Sequence, residues 1–67
     1  MKLTIGSQIV MPEPNGTDDC WKYGGFLGTV IGFRCDGSLA TIRDADEDCF
    51  DIEIDRAEKA MVDENNL

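Results

Sequence analysis

The chain has 67 residues and carries 14 acidic against 6 basic side chains, for a net charge of −8 and a pI near 4.1. A chain this short holds one domain near the lower size limit for independent folding, without room for a lid, a cofactor domain or a deep catalytic cleft. The acidic balance repels phosphate and so argues against direct nucleic-acid binding, and no apolar run approaches the roughly 18 residues that cross a bilayer.

The first eight residues, Met1 to Gln8, contain no continuous apolar stretch of the kind a secretory signal needs, so a cytoplasmic location is expected. Gln8-Ile9-Val10-Met11 reads as the first strand, and Pro12 and Pro14 stop it because proline cannot donate to a sheet ladder. A long loop from Pro12 to about Gly25 contains the turn formers Asn15-Gly16, Asp18-Asp19 and Gly24-Gly25, with Trp21 and Tyr23 among them. Phe26 to Phe33 is the second strand, apolar on both faces and interrupted by Gly28 and Gly32. Glycines inside a strand mark a bend or a close backbone approach. Asp36-Gly37 predicts a type I′ hairpin turn into a third strand, Leu39 to Arg43.

The acidic turn Asp44-Ala45-Asp46-Glu47-Asp48 leads to a fourth strand with strict alternation. Phe50, Ile52 and Ile54 fall on one face, toward the core, and Asp51, Glu53 and Asp55 on the other, toward water. Asp55-Arg56-Ala57-Glu58-Lys59 predicts one helical turn, and Ala60-Met61-Val62 a short last strand. Residues 63–67 read as a flexible acidic tail, which leaves 1–62 as the single domain.

This order of strand, long loop, bent strand, turn, strand, turn, strand, helical turn and short strand resembles an SH3-like barrel over about residues 6 to 62. The resemblance implies an all-β fold, a small five-stranded barrel, with 12–25 as an RT-type loop and one helical turn before the last strand. The paired tryptophans and the Ala-Leu-Tyr-Asp-Tyr-like run of peptide-binding SH3 domains are replaced by Leu39-Ala40 and by Val10-Met11-Pro12-Glu13-Pro14. Proline-rich ligands are therefore not implied. Gly25-Phe26-Leu27-Gly28-Thr29-Val30 is similar to the core of KOW-type barrels, but with acids where those carry bases. The run Trp21-x-x-x-x-Phe26-x-Gly28-Thr29-Val30 resembles that of small bacterial and phage proteins and implies no function.

Three features carry the functional expectation. Eight acids and one base, Arg56, lie between Asp44 and Glu58, which makes the negative charge one-sided. Trp21 and Tyr23 are of the residue types that anchor interfaces, and beside acids such rings hold basic or methylated side chains. Trp21 has a second reading, as a lid over a small core. Asp44, Asp46 and Asp48 resemble the first ligand positions of a calcium loop and are weak metal candidates, although Cys49 stands where that loop has glycine.

The expectation is a non-enzymatic interaction module, a monomer or weak homodimer, that docks a basic protein surface or peptide and needs no cofactor. Trp21 and Tyr23 are its anchors, and Asp18, Asp19, Asp46, Glu47, Asp51 and Glu53 its charged rim. Alternatives are a nucleic-acid mimic, with Asp51, Glu53 and Asp55 spaced about 6.6–6.8 Å apart like phosphates, and a barrel binding a divalent cation. Catalysis lacks a histidine. Cys20, Cys35 and Cys49 are expected to be reduced, partly buried thiols.

Overall fold

A computed structural model describes residues 3–16 and 19–62. Four antiparallel strands form one sheet in sequence order: β1 (Gln8–Val10), β2 (Leu27–Arg34), β3 (Leu39–Asp44) and β4 (Cys49–Glu53). A short helix, α1 (Ile54–Lys59), follows β4 directly. The protein is broadly all-β, as expected. Among the described residues no helix is long and apolar enough to cross a membrane.

Both hairpins form where the turn residues stand. Asp36 (φ 57°) and Gly37 (φ 89°) are left-handed, and the Ser38 N–H donates to the Cys35 carbonyl at 3.1 Å. These are the features of the anticipated type I′ turn. Cys35 is also left-handed (φ 54°), which widens the connection to four residues between the paired Arg34 and Leu39. In the acidic turn the Asp44 N–H donates to the Asp48 carbonyl at 3.0 Å, while Asp44 Oδ1 accepts from the N–H groups of Asp46 and Asp48, both at 2.9 Å. One carboxylate thus organises the whole turn, by the Asx geometry that favours aspartate there.

The two strand glycines do different work. A Cβ at Gly28 would collide with the Ile42 side chain, so glycine here lets β2 press against the core of β3. At Gly32 the register between β2 and β3 shifts, which makes Ile31 the extra residue of a bulge and bends the strand.

The core comprises Leu3, Ile9, Met11, Trp21, Val30, Ala40, Ile42, Ile52 and Ala57, with Phe26, Phe50, Ile54, Ala60 and Met61 packed against it. Alternation places Ala40, Ile42 and Ile52 inward on paired strands, Ala40 opposite Ile52 and Ile42 opposite Phe50. Thr41 and Asp51 pair on the opposite face, where the Thr41 hydroxyl donates to Asp51 Oδ1 at 2.7 Å.

Several expectations change. The fourth strand stops at Glu53, and Ile54 and Asp55 begin α1, so the row Asp51–Glu53–Asp55 does not exist as a strand face. The Ile54 N–H closes the ladder on the Ser38 carbonyl at 3.0 Å, and the chain then turns so that Ala57 is buried. The last strand is reduced to a bridge between Ile9 and Met61, with bonds from Val10 N–H to the Ala60 carbonyl and from Val62 N–H to the Gln8 carbonyl, each 2.9 Å. Because α1 runs to Lys59 with Ala60 as its C-cap, the pairing with β1 is confined, among the described residues, to the Ala60 carbonyl, Met61 and Val62. The cysteines are exposed and free rather than partly buried. The tail expected at 63–67 lies outside the described residues.

Candidate functional site

The long loop is tied down at its base and in its middle. At the base the Met11 N–H donates to the Phe26 carbonyl at 2.9 Å and the Gly25 N–H to the Met11 carbonyl at 2.8 Å. Gly24 lies so close to the opposite arm that an added Cβ would stand 2.7 Å from Glu13 N, which fixes glycine at that position. In the middle, Trp21 folds inward. It is only 3% exposed, its indole N–H donates to the Pro12 carbonyl at 2.8 Å, and its ring meets Phe50 edge-on at 6.2 Å. A buried indole with its one donor satisfied is a core group, so Trp21 acts as the lid and not as an exposed anchor.

Arg56 locks this arrangement. Its guanidinium lies 5.4 Å from the Trp21 ring centroid, donates to Asp19 Oδ2 at 3.0 Å and Oδ1 at 3.3 Å, and reaches the Glu13 carbonyl at 3.1 Å. Asp19 also accepts from the Asn15 N–H at 2.6 Å. Both charged side chains are less than a quarter exposed, so their attraction is only partly screened. Asp19 therefore belongs to an internal clamp between the loop and α1, not to a free rim. Sequence reasoning missed Arg56. Its signal was its isolation, as the one base in a run of eight acids.

Beside the clamp a cleft of about 230 Å³ opens to solvent. Its aromatic wall is Tyr23, Phe26 and Phe50, with part of Trp21, and its acidic wall is Asp44, Asp46 and Asp48. The rings stand edge to face in series, Tyr23 to Phe26 at 5.6 Å and Phe26 to Phe50 at 5.8 Å. Tyr23 is 67% exposed. Lys22 is the one base among the lining residues. Rings and carboxylates thus line one cleft, and its lining differs from the set of residues expected. Phe50, read from sequence as core only, and Asp44 and Asp48, read as metal candidates, form its walls.

The other expected rim residues are dispersed. Glu47 is exposed at the turn tip, where its φ of 67° completes the hairpin. Asp51 is half-buried on the outer sheet face, bonded to Thr41 and 3.5 Å from Arg34 Nε. Glu53 is exposed at the end of β4, and Asp18 lies outside the described residues. For the metal candidates, Asp44 Oδ1 already serves two backbone amides. Among the described residues no three carboxylates or thiols converge as a metal ion would require.

No family model matches the chain, and neither a curated protein nor a solved structure matches it significantly.

Proposed function

We propose that this protein is a non-enzymatic interaction module that docks a basic surface or peptide of a partner protein. One cationic side chain sits between the rings of Tyr23, Phe26 and Phe50 and the carboxylates of Asp46 and Asp48. The observation that carries this reading is the convergence of the rings of Tyr23, Phe26 and Phe50 and three acids on one open cleft, whose one base among the described residues is Lys22. A cation over an aromatic face gains roughly 0.5–1 kcal/mol at an exposed site and more when water is displaced. The nearby carboxylates add attraction that weakens with salt. The chain uses the same chemistry internally, where Arg56 meets Trp21 and Asp19.

The proposed frame is an SH3-like barrel. Its support is the order of pairing, with 60–62 bridged to β1 and β1 through β4 following in sequence, together with the bulge in β2 and the helix before the final bridge. The proposed location is the cytoplasm, which suits three free, exposed thiols.

The test is an NMR titration of the full chain with a short neutral peptide containing one lysine, alongside its norleucine counterpart. Shifts confined to Tyr23, Phe26, Phe50 and 44–48, seen with lysine only and lost in Tyr23→Ala, are the expected result. Shifts spread over all acids, or none, overturn the proposal.

A further inference from the structure

We infer that the partner segment is basic at one point and aliphatic just beyond it, because a second, apolar cleft lies on the outer sheet face at the same end of the sheet, with Asp44 lining both. This inference rests on the docking reading above and specifies its ligand.

The second cleft, of about 350 Å³, is lined by Leu27, Thr29, Ile31, Arg43, Asp44 and Ala45. Leu27, Thr29 and Ile31 alternate with the buried Gly28 and Val30, so they share the outer face of β2. Leu27 is 49% exposed and Ile31 37%. Ile31 is also the bulge residue, without a partner in the register with β3. Two large aliphatic side chains thus flank a shelf on the outside of a small, highly charged domain.

The two clefts meet at the same chain segments. Asp44 lines both. Phe26 lines the aromatic cleft, and its neighbour Leu27 lines the shelf. A bound segment with its cation among the rings therefore reaches the shelf by crossing the rim at Leu27 and Asp44. Charge sets the order along that segment. The aromatic cleft has three acids, whereas the shelf has the exposed Arg43 beside Asp44, which disfavours a second cation there. The occupant that satisfies both halves carries one lysine or arginine and then a leucine-like side chain.

The full chain is titrated with a panel of short peptides. One has a single lysine, one a single leucine, and the rest combine them at successive spacings in both orders. The combined peptide of correct spacing binds about tenfold more tightly than the lysine peptide, the gain expected from partly burying one aliphatic side chain. Its shifts extend from Tyr23 and Phe50 to Leu27, Thr29 and Ile31. Ile31→Thr, which keeps a β-branched residue in the strand, removes the gain and leaves lysine-peptide binding unchanged.

If every combined peptide binds no better than the lysine peptide, the inference fails while the docking reading stands. If no lysine-containing peptide binds, both fail. If the Leu27 and Ile31 methyl signals move with protein concentration alone, a second copy covers the shelf and the inference is overturned.

Discussion

Around Arg56, a ring, a carboxylate and a carbonyl enclose one guanidinium supplied by the chain itself. On the other side, the rings of Tyr23, Phe26 and Phe50 and three carboxylates line an open cleft, with Lys22 as the one base among the described residues. The ingredients are the same, and the two places differ in that Arg56 is held by Asp19 at 3.0 Å while the cleft is open to solvent. In the first, the attraction holds the long loop against α1 and contributes to folding. In the second, the groups line an open cleft, where the proposed partner would use them. An acidic, aromatic-rich loop therefore need not be one binding surface, since part of it can be consumed in building the fold that presents the rest.

The comparison breaks most visibly at Trp21. Trp21→Ala empties a buried site and frees the Pro12 carbonyl, at a cost of about 3–5 kcal/mol. That approaches the whole stability of so small a domain. Chemical denaturation is expected to show a largely unfolded protein, and a midpoint near wild type would mean that the clamp is not structural.

Arg56→Ala is the next largest. It leaves Asp19 mostly buried without its cation and removes the stacking on Trp21, for a loss of about 2 kcal/mol. A double-mutant cycle with Asp19→Asn should show coupling of about 1 kcal/mol, and additive losses would deny the pair its role.

Tyr23→Ala tests the open side. Stability is expected to stay within about 0.5 kcal/mol, as for exposed positions, while affinity for a lysine peptide falls about tenfold, read by NMR titration. Equal effects on folding and binding would erase the distinction between the two places.

Asp46→Asn with Asp48→Asn is the mildest change, since both side chains are exposed. Binding should weaken a few-fold at low ionic strength, and the difference from wild type should shrink as salt rises. A salt-independent difference would point to altered turn geometry instead.

The strands were largely legible because each had a local cause. Pro12 ends the first, Asp36-Gly37 turns the second into the third, and Phe50 and Ile52 alternate with Asp51 and Glu53 in the fourth. The same alternation misled at Ile54 and Asp55. Period two continues through them in the sequence, but the ladder ends when Ile54 bonds to Ser38, and the chain then coils to bury Ala57. The buried Leu3 carried no periodic signal at all.

The residue types of the cleft were legible from composition, and which residues line it was not. Nothing local distinguishes Asp19, bound to a residue 37 positions away, from Asp46 on a free turn. Nor does strand alternation reveal that Phe50, half inside, also shows an edge to the cleft beside Tyr23.

What the sequence determined alone was therefore the inventory: an all-β pattern, four strands with their turns, and negative charge gathered on 44–58. These follow from backbone preferences and side-chain alternation, which act between neighbours. Only the tertiary structure decided which aromatic is buried, which acid is already paired, and that the −8 charge has a clamped part at Asp19 and an open part at Asp46 and Asp48. Burial and charge pairing depend on distances between residues far apart in the chain, and folding alone sets those distances.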